Sequence, residues 1–155
     1  VVKLGPFDHK VDNGLILRQA AYECMYTLLD TCLGQLDLTA FTKAAYEGIK
    51  EEASLDNKSL KILLLSKLAQ RAPLAISTAL EPLVAPLTDI INAKPNPEQQ
   101  SERADELVRS AFRLVHTIQS SEGASQVTKW NDFVERVVNS TENKPKYETI
   151  KKESK

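Results

Sequence analysis

A chain of 155 residues, 42% hydrophobic and 26% charged, is long enough for one domain with a substantial core. Its formal net charge of −1, from 20 basic and 21 acidic residues, lacks the basic footprint of a nucleic-acid binder. The longest apolar run, around Leu60 to Ala69, is interrupted by Lys61, Ser66 and Lys67, so neither a membrane span nor a secretory leader is expected.

Residues 1 to 12, VVKLGPFDHKVD, place two short apolar or β-branched segments around the turn-forming Gly5-Pro6-Phe7-Asp8. They read as a β-hairpin or, equally, as an extended loop joining helices. Phe7 near the tip is a large aromatic that needs a surface to dock on.

Asp12 to Leu33 follows as a helix apolar on nearly every side, with Arg18, Gln19, Glu23, Thr27 and Asp30 as its polar stripe. It reads as an inner helix between layers, capped by Asp12 or Asn13 and ended by a left-handed Gly34. Cys24 and Cys32 lie on this one rod, too far apart to bridge, and read as buried small hydrophobes. Their use fits a reducing compartment, the cytoplasm or nucleus. The chain begins at Val1, and this first inner helix has no preceding partner. Both features suggest the end of a longer protein, with a helix face left to pack on an upstream repeat.

Asp37 caps a helix over 38–51 whose apolar face is Leu38, Phe41, Ala45 and Ile49, with Gly48 inside it. Residues 53–57 read as a turn, and 58–71 as a second inner helix carrying Leu60, Ile62, Leu63, Leu64, Leu65 and Leu68. Pro73 stops it. A short helix over 74–80 follows, and Pro82 and Pro86 delay the next one to about 83–92. Residues 93–98 read as a loop, and 104–118 is the periodic part of a third inner helix, with Leu107, Val108, Ala111, Leu114, Val115 and Ile118 inward. Gly123 closes that helix. An amphipathic helix over 126–139 buries Val127, Trp130, Phe133, Val134, Val137 and Val138 and turns Lys129, Asp132, Glu135 and Arg136 outward. The last residues, KPKYETIKKESK, have only Tyr147 and Ile150 as anchors and are expected to fray or be disordered.

A base set between apolar residues recurs early in each inner helix, at Arg18, Lys61 and Arg109, at intervals of 43 and 48 residues. HEAT and armadillo repeats have periods of roughly 40 to 47 residues. The expected fold is therefore all-α: a HEAT-like α-solenoid of stacked antiparallel helix pairs over 13–139, with a short N-terminal β-hairpin over 1–12 and a charged tail over 140–155. An ordinary helical bundle is the competing reading.

Chemistry is sparse. The histidines are His9 and His116, and no metal, phosphate or dinucleotide pattern is present, so no cofactor, metal or catalytic residue is assigned. A Cys24 nucleophile paired with His116 is weighed and set aside, because a cysteine on a mostly buried helix is usually structural.

The motifs GPF-x-H-x-VD-x-G-L at 5–15, RQAAYECMYTLLDTCL at 18–33 and EGIK at 47–50 resemble the C-terminal region of the cullin-associated, neddylation-dissociated proteins. Leu83-Val84-Ala85-Pro86-Leu87 and Asp105 to Ala111 continue the likeness more loosely. The resemblance implies a non-enzymatic exchange factor for cullin-RING ubiquitin ligases. Its solenoid end would hold the cullin's N-terminal domain while a hairpin competes with the adaptor and substrate receptor. The contact residues it implies are Lys3, Leu4, Pro6, Phe7, Asp8, His9 and Lys10, with upstream HEAT repeats as the intramolecular partner. The alternative is the capping end of an unrelated HEAT scaffold of the transport or phosphatase type, with an inert hairpin.

Overall fold

The computed structural model describes residues 2–4, 7–9, 11–94 and 101–155, and the surroundings of side chains for 11–94 and 102–155. Two three-residue strands, β1 (Val2–Leu4) and β2 (Phe7–His9), pair antiparallel with Val2 opposite His9, Lys3 opposite Asp8 and Leu4 opposite Phe7. The turn between them, and the loop expected over 93–98 from Pro95 onward, lie outside the described residues. Among the described residues, the rest of the regular structure is helical: α1 (Leu15–Thr31), α2 (Leu38–Tyr46), α3 (Leu55–Arg71), α4 (Pro73–Ile76), α5 (Leu80–Ile91), α6 (Ser101–Gln119), α7 (Thr128–Phe133) and α8 (Lys144–Glu153).

The helices form two layers. In one, α3 lies between α1 and α6, and α8 packs on α6; in the other, α2 meets the α4 segment, and α5 bridges α6 and α7. The core fills the space between. Ile62, Leu64, Leu65 and Leu68 of α3, Leu83 and Leu87 of α5, and Leu114, Val115 and Ile118 of α6 are all fully buried. Trp130 is sealed beneath them with its indole N–H donating to Gln119 Oε1 at 3.2 Å. That bond satisfies the one polar atom of a large buried side chain.

Several helix ends depart from the sequence reading. Gly34 does not take the left-handed conformation expected of it; among the described residues Gly48, at φ +72° after α2, and Gly123, at φ +95° after α6, do. Consequently α2 stops at Tyr46 instead of running to 51, and α1 ends in a short 3-10 turn, Leu33–Gln35. Helix α3 starts at Leu55, earlier than expected, because the Ser54 hydroxyl accepts the Asn57 N–H at 3.3 Å and caps it.

Pro82 and Pro86 do not delay α5. It starts at Leu80, with Pro82 in the first turn, where a missing N–H costs nothing, and Pro86 buried within the helix. Together with α4 and the turn Ser77–Ala79, this makes Pro73–Ile91 a continuous helical stretch long and apolar enough, by length and composition alone, to span a bilayer. The inward placement of Ile76, Leu80, Leu83, Leu87, Ile90 and Ile91 marks it as a core element.

Helix α7 runs on into five residues of π-helix, Val134–Val138, closed by Asn139 N–H donating to the Val134 carbonyl at 2.9 Å. The tail is not frayed: α8 docks on α6 through Tyr147 and Ile150, both buried, with the Tyr147 ring 5.9 Å from that of Phe112.

Candidate docking surfaces

Helix α1 is not sandwiched. Only Leu29 is fully buried, and Ile16 and Leu17 are 79% and 76% exposed. Cys24, expected in the core, is exposed and Cys32 is half-buried. Ile16, Leu17, Ala20 and Cys24 therefore form an apolar stripe at helical spacing that faces away from the body.

The opposite face of α1 meets α3 through polar and aromatic groups as much as through the core. Lys67 lies 3.6 Å from the centre of the Tyr26 ring and also donates to Asp30, which accepts a second bond, 2.7 Å long, from Arg71. These cations hold the Asp30 carboxyl below the usual carboxylate range, Lys67 contributing most. Lys61 is buried, donates to the Glu47 carbonyl at the end of α2 and stands 5.0 Å from the Tyr22 ring centre. Burial lowers its pKa, and the surrounding glutamates oppose that shift.

At the N-terminal end of α1, Arg18 joins two carboxylates. Its guanidinium reaches Asp12 at 3.0 and 2.5 Å and Glu52 at 2.9 and 3.0 Å. Both carboxyls are held below their usual range, chiefly by the hydrogen bonds from Arg18, and the guanidinium is pushed up in return. The sequence puts Arg18 in the polar stripe of this helix and gives it no partner. Glu52 lies 34 residues further on, at the α2–α3 corner, so no local pattern connects the two.

Of the residues named as contacts, Lys3 and Leu4 lie on β1, and Phe7, Asp8 and His9 on β2; Pro6 and Lys10 fall outside the described residues. The paired strands bring Lys3 opposite Asp8 and Leu4 opposite Phe7.

A second surface is a groove of about 910 Å³ along α3, α4 and α6, lined by Ile62, Leu63, Leu74, Arg113 and His116 among others. Leu63 and Leu74, 48% and 83% exposed, supply its apolar rim. His116 sits in this groove, whereas Cys24 lies on α1, on the other side of α3. The cysteine–histidine pair weighed from sequence is thus not assembled. Among the described residues, no three His, Cys, Asp or Glu side chains gather in a metal-binding group.

The described helices thus form a two-layered stack with an exposed apolar stripe on α1. Comparison with known proteins gives the family. Residues 1–138 match the family described as TATA-binding protein interacting (TIP20). The chain is 35% identical over 156 aligned residues to cullin-associated NEDD8-dissociated protein 2 of Rattus norvegicus, covering 99% of this chain and 12% of that protein. It is 37% identical over 143 residues to cullin-associated NEDD8-dissociated protein 1 of Dictyostelium discoideum, covering 90% and 12%. A third relative, from Emericella nidulans, is named as the C-terminal part of such a protein and is 32% identical, with 88% and 14% covered. The chain belongs to this family and is homologous to its C-terminal region. It spans about an eighth of the length of these relatives.

Proposed function

We propose that this chain is the end of a HEAT-like solenoid that binds the N-terminal domain of a cullin and competes there with the adaptor and substrate receptor, promoting receptor exchange on cullin-RING ubiquitin ligases. The observation that carries this reading is homology over nearly the whole chain to proteins named for cullin association. The two-layered stacking of α1 to α8 supports the solenoid, and the exposed Ile16 and Leu17 are where upstream HEAT repeats would continue it.

The module acts by binding and makes no covalent bond. The strands β1 and β2 form the competing element, with Lys3, Leu4, Pro6, Phe7, Asp8, His9 and Lys10 as its contacts. If the ribbon and the adaptor claim overlapping cullin surface, each weakens the other by the same factor, and this mutual destabilisation speeds exchange in both directions. The site of action is the cytoplasm and nucleus. Family membership favours this reading over a capping end from an unrelated transport or phosphatase scaffold.

The test replaces Phe7 and its neighbours with Gly-Ser in a longer protein containing the upstream repeats. Cullin binding is expected to persist while adaptor displacement slows. Unchanged displacement kinetics would overturn the competing role of the ribbon.

A further inference from the structure

A ribbon held out in a fixed direction displaces a competitor more effectively than a mobile one, since a segment that samples many orientations pays its ordering entropy on binding. The strands themselves are three residues each, short for independent stability. What fixes their direction must lie at their root, in the residues between His9 and α1.

The root is clamped. Asp12, three residues after β2, accepts two bonds from Arg18 at 3.0 and 2.5 Å and the Gly14 N–H at 3.0 Å, a local turn just ahead of α1 and not the helix cap that the sequence suggests for Asp12 or Asn13. The same guanidinium presents Nε and Nη2 to Glu52 at 2.9 and 3.0 Å. Glu52 is itself immobilised, its side chain 4% exposed and its Oε1 accepting the Ser54 N–H at 3.1 Å.

Arg18 thus bridges a buried anchor on the body to an exposed carboxylate on the linker, whose side chain is 45% exposed and contributes little to the core. A planar fork with donors on two edges suits this task, and a lysine ammonium does not. Gly14 leaves the necessary room: a Cβ there would meet Arg18 Nη1 at 2.9 Å.

We propose that Arg18 is a positioning residue that fixes the direction in which the N-terminal ribbon leaves the helical body, by holding Asp12 at the ribbon's root and Glu52 at the α2–α3 corner in one guanidinium. The clamp stands on this geometry alone; only its purpose rests on the reading that the ribbon competes for cullin.

Two variants separate the clamp from ordinary stabilisation. Arg18→Lys keeps the charge and loses the double fork, and Asp12→Asn keeps an acceptor for Gly14 while releasing the linker side only. Nuclear magnetic relaxation of the 155-residue chain gives the readout. In the native chain the amides of Phe7, Asp8 and His9 are expected to show rigid order parameters of about 0.85, falling below about 0.6 in both variants, with α3 and α6 unchanged.

Ribbon amides that are already mobile in the native chain, or equally rigid in both variants, would overturn the clamp. So would a loss of thermal stability without selective loosening of the ribbon. In a longer protein, Arg18→Lys should slow adaptor displacement. If the ribbon loosens and displacement does not change, the clamp stands and the competition reading fails.

Discussion

Replacing Ile16 and Leu17 with glutamine tests the idea that α1 carries an open end face. These residues are 79% and 76% exposed, so about three quarters of each side chain is in water. Full burial of a Leu or Ile contributes about 1.5–3 kcal/mol, leaving about 1–2 kcal/mol per residue, or about 2–4 kcal/mol for the pair, available only when something covers them. Glutamine and leucine have similar helix propensity, so the helix itself is little affected. In the 155-residue chain the double variant should change unfolding free energy by no more than about 0.5 kcal/mol per site, as at an ordinary surface. The control, Leu29→Ala at a fully buried position of the same helix, should cost about 2–5 kcal/mol. Urea unfolding followed by fluorescence of the single tryptophan, buried Trp130, reads both. The double variant should also bind less hydrophobic dye and self-associate less. In a protein that includes the upstream repeats, the same change should cost the withheld 2–4 kcal/mol or so. A loss of about 2 kcal/mol or more already in the isolated chain would refute the open face, since only residues packed within this chain lose that much.

Ile150→Ala should destabilise by about 2–5 kcal/mol, because α8 is a docked helix; a frayed tail would give less than about 0.5 kcal/mol in the same unfolding assay. Gly48→Ala should cost about 1–2 kcal/mol for forcing a side chain into the left-handed region, whereas Gly34→Ala should be neutral or stabilising by about 0.4–1 kcal/mol. The reverse ranking of their thermal midpoints would contradict the assigned helix ends. Lys61, whose folded pKa is lowered by burial, binds fewer protons folded than unfolded between its folded and unfolded values. Stability should therefore rise with pH through that window, up to the unfolded value of about 10.4, and Lys61→Met should abolish the slope. Denaturant titrations across the alkaline range would show it; an unchanged slope in the variant would assign the effect elsewhere.

Local signals carried most of the helix pattern. Asp37 caps α2 as its sequence suggests, accepting the N–H groups of Thr39 and Ala40 at 3.1 Å, and Leu107, Ala111, Leu114, Val115 and Ile118 of α6 are buried as its period selects, although Val108 is only half-buried and the buried Phe112 is not in the expected set. Errors arose where tertiary contacts decide. Pro86 was read as a barrier because the rule for proline is local, yet its burial between layers accompanies a helix that continues through it. Cys24 was placed in the core because α1 is apolar all round; periodicity reports how much surface wants covering, and not whether this chain supplies the cover. The Arg18–Glu52 bridge joins residues 34 apart, and only the fold brings the α2–α3 corner beside the start of α1.

The most direct measurement of the proposed competition is a titration of a cullin N-terminal domain with its adaptor and a longer family protein, with and without residues 1–12. Competition requires the adaptor to weaken cullin binding by the longer protein, and by the same factor in the reverse order of addition. Removing residues 1–12 should relieve most of that factor while leaving the binary cullin complex formed. Equal coupling with and without those residues would contradict the assignment of competition to the ribbon, and no coupling in either protein would contradict the exchange function itself.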